Sequence, residues 1–246
     1  MDCAVPAVFK PESEAALVRE FFRDRPHGFF VEVGANDPKK DSQSFHLEEA
    51  GWTGILIEPL PELAAELRRQ RTARVFEVAC SSPDRAGRTM RLHVAGPFSS
   101  FDPELAVTGM RADRVIDVPV RTLDDVLNEG HASAPIDLMS VDVEGHELEV
   151  LSGFDFARWK PRLILLEDHV GNLDKHRFMT SAGYALMRRT GLNGWYVPRG
   201  EAPPMDLLGR WQIFRKYYLA LPFRIFRDAR RRLRDRIRFR REGASQ

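Results

Sequence analysis

A chain of 246 residues that is 43% hydrophobic can bury one sizeable α/β core, and its two cysteines, Cys3 and Cys80, cannot build a disulfide framework. No uncharged apolar run reaches the roughly 18 residues of a membrane-spanning helix, and residues 1–4 carry no basic stretch leading into an apolar one; the expectation is a cytoplasmic protein without transmembrane helix or secretion signal. The net charge of +1 conceals two unlike parts: residues 210–246 hold 13 Lys/Arg against three acids, net +10, leaving 1–209 with 24 basic and 33 acidic residues, net −9.

In chain order, 11–24 reads as a helix, with Ala15, Leu17, Val18, Phe21 and Phe22 forming its apolar stripe. A strand over 28–33 runs into a polar loop over 34–43, a short helix over 44–50 and a second strand over 54–58. Pro61 suits the first turn of a helix ending near residue 69, and 74–79 is a third strand. The alternating segments 90–94 and 115–120 read as strands with one exposed face. Thr122 is placed to cap a helix over 122–129. Strand 136–142, helix 146–151, strand 162–167 and helix 174–182 follow, and 184–188 with 194–198 forms a hairpin around Gly191 and Asn193. These elements divide the chain into an N-terminal helical segment (1–27), a sheet-forming domain (28–200) and a basic helical extension (201–246). Helices alternating with apolar strands predict a mostly parallel sheet covered on both faces, with ligands bound beyond the carboxyl ends of its strands.

Gly34, Glu58 and Asp142 all fall at such ends. Gly34 can adopt positive φ and lets the backbone approach a ligand, while Glu58 is placed to accept hydrogen bonds from a ribose diol. That geometry serves a dinucleotide or S-adenosylmethionine. Residues 34–39, Gly-Ala-Asn-Asp-Pro-Lys, offer one glycine where a pyrophosphate fingerprint has three, which favours S-adenosylmethionine over NAD(P). Asp142-Val143-Glu144-Gly145-His146-Glu147 forms a second constellation. It offers two carboxylates two residues apart and a histidine suited to deprotonating a hydroxyl, although His146 reads equally well as a capping or surface residue. Glu167-Asp168-His169 forms a third, able to assist a base, orient substrate or join Asp142 around a cation. Its spacing is not that of a metal motif, and no metal is expected.

Val31-Glu32-Val33-Gly34-Ala35-Asn36, the stretch 51–59 ending Ile57-Glu58-Pro59, Val120-Arg121-Thr122-Leu123-Asp124 and the block 136–153 together resemble the successive motifs of FkbM-type S-adenosylmethionine-dependent methyltransferases, over roughly 28–190. The resemblance implies a class I methyltransferase (Rossmann-like) seven-stranded sheet. It further implies S-adenosylmethionine as cofactor and O-methylation of a sugar, glycan or polyketide hydroxyl. It assigns Glu32, Gly34, Ala35 and Asn36 to the first cofactor motif, Glu58 to the ribose, and Asp142 and Glu144 to the acids facing donor and acceptor. Asp37, Pro59 and Ser81 complete the expected cofactor set. Glu32 stands where Asp is common, and Pro38 where a second small residue is usual. Asp142 or His146 is the expected base, with His169 in reserve. An NAD(P)-dependent oxidoreductase and a non-catalytic scaffold are the competing readings.

The extension 207–241 mixes aromatic and aliphatic residues with arginines. It is read as a peripheral contact with an anionic membrane. Packing onto the domain is the next reading, and nucleic acid is the least favoured.

Overall fold

The computed structural model describes residues 13–95, 99–101, 114–168, 173–201, 207–223, 225–227 and 230. Its first helix, α1 (Glu14–Phe21), starts where Ser13 accepts a hydrogen bond from the Ala16 amide, and buries Val18. The start expected at residue 11 lies outside the described residues.

Seven strands form the main sheet: β1 (Phe29–Val33), β2 (Thr53–Ile57), β3 (Arg74–Phe76), β7 (Leu138–Val141), β8 (Leu163–Glu167), β9 (Tyr184–Thr190) and β10 (Asn193–Pro198). Their order is β3-β2-β1-β7-β8-β10-β9. All neighbours run parallel except β10, which lies antiparallel between β8 and β9. This is the class I methyltransferase arrangement expected from sequence. Strand order reverses between β1 and β7, so connections leave those two strands in opposite directions and open a crevice at their carboxyl ends.

The continuous apolar runs of the central strands follow from burial on both faces. Along β8, Ile164 and Leu166 enter one core with Val31, Val33, Ile57 and Met139, while Leu163 and Leu165 enter the opposite core with Phe30, Leu56 and Leu138. The alternation is the two-residue period of a strand. Helices α4 (Leu123–Glu129), capped by Thr122 as expected, and α5 (Glu147–Ser152) cover the first face; α1 and α3 (Pro61–Gln70) cover the second. The short α2 (Phe45–Glu48), between β1 and β2, also lies on this second side through Leu47.

One expected strand is in fact two. The run 74–79 stays in the main sheet only as far as Phe76, whose carbonyl accepts the Glu58 amide. Glu77 then turns to Arg68, and β4 (Ala79–Cys80) pairs with β6 (Arg114–Arg121) in a separate small sheet completed by β5 (Thr89–Val94). Apolar continuity hid the transfer between sheets. A one-turn helix, α6 (Phe156–Trp159) capped by Asp155, was also too short to show periodicity. α7 (Asp174–Ser181) precedes the hairpin, which closes around Gly191 as expected.

The C-terminal extension begins as α8 (Leu207–Phe214) and passes directly into a π-helical turn, Arg215–Leu219. Helical pairing breaks at Ala220, and Pro222 lies in the next helical stretch, in accord with its inability to donate a backbone hydrogen bond. Tyr217 anchors this segment most deeply. Its ring is buried, and its hydroxyl donates to Asp168 (2.7 Å), whose carboxylate also receives Arg189 (3.1 Å). Arg189 further donates to the Asp168 and Leu192 carbonyls. Replacing Tyr217 with Ala removes a large buried ring and strips the Asp168–Arg189 pair of its third member. The expected loss is about 3–5 kcal/mol in urea denaturation.

Candidate active site

A cavity of about 370 Å³ lies beyond the carboxyl ends of β1, β2 and β7, within the size range of small-molecule sites. Its floor is built by a close crossing of two chain segments. Gly34 adopts φ +82°, and a Cβ there would come within 1.8 Å of the Asp142 carbonyl oxygen. Hydrogen bonds from Asp142 to Val33 and from Gly34 and Ala35 to Ile57 tie the three strand ends together. The next residue but one, Asn36, is also left-handed (φ 48°), a conformation asparagine tolerates better than most residues. This brings its amide onto Glu58.

Glu58 is buried at the end of β2. One carboxylate oxygen accepts the Asn36 amide and the other the Leu60 amide, each at 2.9 Å. Burial pushes its pKa up to about 7 against the opposing pull of those amides. Each oxygen keeps a lone pair for a further donor.

Glu32 acts through the loop it holds. Its carboxylate accepts from the Ser42 hydroxyl (3.0 Å), the Gln43 amide (2.8 Å) and the Ser44 hydroxyl. Arg71, fully buried, donates to Ser44 (2.9 Å), Ser42 (3.2 Å) and the Pro38 carbonyl (3.0 Å) and pairs with Glu48 (2.7 Å). Pro38, the departure noted in the sequence, therefore contributes an acceptor that Arg71 uses. Burial raises the pKa of Glu32 despite these donors. Asp37 caps the same loop by accepting the Lys39 and Lys40 amides, which hold its carboxyl below the usual range.

Across the cavity, Asp142, Glu144 and Glu167 bring carboxylate oxygens within 4.8 Å of one another. The turn carrying the first two is sharp: Glu144 (φ 51°) and Gly145 (φ 99°) are both left-handed, and Ser100 donates to the Glu144 carbonyl (2.9 Å). Asp142 is exposed toward the cavity, while its carboxyl lies among the acids of the strand ends. Desolvation, then repulsion from Glu167, Glu144 and Glu147 and a hydrogen bond shared with Glu167, hold its pKa well above the carboxylate range. Three acids this close share a proton or a divalent cation. The Asp142–Glu167 hydrogen bond is the proton-sharing form. Lys175 bridges the region, reaching Glu147 (2.6 Å) and the Glu167 carbonyl (2.9 Å).

Of the residues singled out from sequence, Glu32, Gly34, Ala35, Asn36, Asp37, Glu58, Pro59, Asp142 and Glu144 line this one cavity. Ser81 and His146 are not among the lining residues. They meet each other instead, Ser81 Oγ lying 2.9 Å from His146 Nε2, with the imidazole against Phe101 and 3.8 Å from Glu149. Burial lowers the His146 pKa, which keeps the ring neutral. His169 lies outside the described residues. Sequence reasoning missed Leu60, Leu63, Cys80, Leu92 and Phe101, which form the apolar side of the cavity. Leu63 reaches it from helix α3 and Cys80 and Leu92 from the small sheet, elements whose placement no motif signals.

A scan against protein-family models matches residues 32–189 to the methyltransferase FkbM domain. The chain belongs to the FkbM methyltransferase family. That membership agrees with the strand order. Among solved structures, the precorrin-6y C5,15-methyltransferase of Geobacter metallireducens GS-15 is similar at 14% identity over 79% of this chain and 90% of that chain, with a TM-score of 0.39. No curated protein matches.

Two substitutions test this geometry. Gly34→Ala forces a Cβ into the Asp142 carbonyl at a positive φ, so the β1–β7 crossing must open; a destabilisation of about 3 kcal/mol or more is expected in chemical denaturation. Asp142→Asn should act the other way. Because the folded pKa of Asp142 is raised, the wild-type protein loses stability as pH climbs from the unfolded carboxylate pKa through the folded one. The asparagine variant escapes that loss. Its melting temperature should equal wild type near the acid end and exceed it by a few degrees at neutral and alkaline pH.

Proposed function

We propose that this methyltransferase takes its methyl group from S-adenosylmethionine and places it on a hydroxyl of a sugar, glycan or polyketide-type product. One observation carries the reading: a ribose-ready carboxylate, Glu58, and the carboxylates of Asp142 and Glu144 line the same cavity.

The residues present fit the donor. Glu58 offers a free lone pair on each oxygen to the two ribose hydroxyls, and its backbone partners keep it from turning away. Gly34, Ala35 and Asn36 form the tight strand-end turn on which the amino-acid portion would lie. Leu60, Leu63 and Cys80 give the apolar flank that suits a purine. When bound, S-adenosylmethionine supplies a sulfonium-activated methyl group.

Asp142 supplies the base. Its pKa, raised to about 8, makes its ionised form a stronger base toward a hydroxyl than an ordinary carboxylate, and that form takes the proton as the acceptor oxygen is alkylated. Glu144, which lines the cavity, accepts hydrogen bonds from the acceptor's other hydroxyls and orients it, while Glu167 acts on Asp142 through their shared hydrogen bond. His146, neutral and joined to Ser81, supports the turn that aims Asp142 and Glu144. Opposing this, an NAD(P) cofactor would need a pyrophosphate cradle that a single glycine in 34–39 does not provide.

Calorimetry with S-adenosylhomocysteine tests the donor directly; no binding heat from folded protein refutes it. Its affinity should rise with pH, because Glu58, with a pKa of about 7, accepts ribose hydrogen bonds best when ionised. The Glu58→Gln variant should bind about 10- to 100-fold more weakly and lose most of that pH dependence. Release of S-adenosylhomocysteine across a panel of hydroxylated acceptors then identifies the substrate, and Asp142→Asn should abolish turnover while leaving donor binding measurable.

A further inference from the structure

We propose that the C-terminal segment is a docking surface for an anionic lipid bilayer, its apolar side chains entering the interface and its arginines meeting the headgroups. Among the described residues, few side chains attach the segment to the domain. Tyr217 is buried, and Ile213 and Leu221 rest against the main core. The other large apolar side chains described in it face solvent: Trp211 is 52% exposed, Phe226 69% and Phe223 78%, alongside Phe214, Tyr218, Leu219 and Ile225.

Three of them are in contact. Trp211 and Phe214 pack at 5.9 Å between ring centroids, and Phe214 and Tyr218 stack at 5.6 Å, the spacing of successive turns on one helix face. A soluble domain rarely leaves so large an apolar patch uncovered.

Charge decides what covers it. Residues 207–227 contain five Lys/Arg and no Asp or Glu, and the exposed Arg210, Arg215, Arg227 and Arg230 border the patch. Seven more arginines follow within 231–241. Because residues 1–209 carry net −9, an anionic surface attracts this segment and repels the rest, which fixes the orientation of docking. Aliphatic Leu219 and Ile225 gain nothing on a phosphate track or against a nucleobase, whereas hydrocarbon accepts them together with the rings of Trp211, Phe214 and Tyr218, so a lipid interface fits this patch better than nucleic acid does. Among the described residues no helix is long and apolar enough to cross a membrane, so the segment lies on the surface.

The fold supplies its own reporter. Trp52, Trp159 and Trp195 are buried, leaving Trp211 as the exposed one of the chain's four tryptophans. The full chain should sediment with vesicles of phosphatidylcholine mixed with phosphatidylglycerol and not with phosphatidylcholine alone. Tryptophan emission should shift to the blue on binding, and Trp211→Phe should remove the shift. Binding should weaken with added salt, and the double substitution Phe223→Ser, Phe226→Ser should reduce it about tenfold or more while S-adenosylhomocysteine binding stays unchanged. Equal binding to both vesicle types, or to neither, overturns the proposal. So does a Trp211 already shielded from acrylamide in the free protein, which would mean a second copy covers the patch. Single-stranded oligonucleotide binding that the double serine variant loses, without vesicle binding, assigns the surface to nucleic acid instead.

Discussion

Everything at the cavity depends on one close approach, that of the Gly34 α-carbon to the Asp142 carbonyl. β1 and β7 are neighbours whose following segments leave in opposite directions, and a side chain at position 34 would hold those segments apart. With glycine there, the β1 turn closes down against β7. The Asn36 amide then reaches Glu58 on one side, and Asp142 meets Glu167 on the other. A backbone constraint at a single residue thus sets the distance between the two chemically unlike ends of the cavity.

The same region concentrates ionisable groups that water would ordinarily keep apart. Glu32, Glu58 and Glu167 are buried, and Asp142 is ringed by acids. Each is managed differently. Glu58 is held by two backbone amides, Glu32 by two hydroxyls and an amide with Arg71 behind them, and Asp142 by sharing a hydrogen bond with Glu167. Glu58 and Asp142 are both left with pKa values near or above neutrality, and of the two it is Asp142 that sits among other acids able to share its proton. The Glu32 arrangement fixes structure: Glu32 and Arg71 between them order the loop over 38–44 that borders the cavity.

Much of this was legible in the sequence because the relevant signals are local. Apolar runs over β1, β2, β7 and β8 marked strands buried on both faces, and the residues just after them, Gly34, Glu58 and Asp142, marked the ligand edge. Thr122 and Pro61 gave true helix starts. What failed to show was nonlocal. Val75 and Ala79 look alike in sequence, yet they belong to different sheets, because the pairing partner that draws away 79–80 is β6, some 40 residues on. Ser81 was expected at the cofactor and instead meets His146, 65 residues distant. A histidine after a glycine reads as a catalytic group in one dimension; in three, burial and the Phe101 ring set it beside the lining rather than in it. Arg71 carried no motif at all, although four groups depend on it.

The sheet's two margins bear on how this protein survives at high concentration. An open strand edge is a template on which another copy can add a strand. One margin here, β3, is only three residues long, too short to recruit much. The opposite margin, β9, is seven residues long, but Arg188 and Arg189 interrupt its apolar pattern and the helix Leu207–Phe214 packs beside it. The C-terminal helix therefore guards the longer edge, and a chain trimmed at the end of β10 would lose that cover and become prone to strand-by-strand self-assembly.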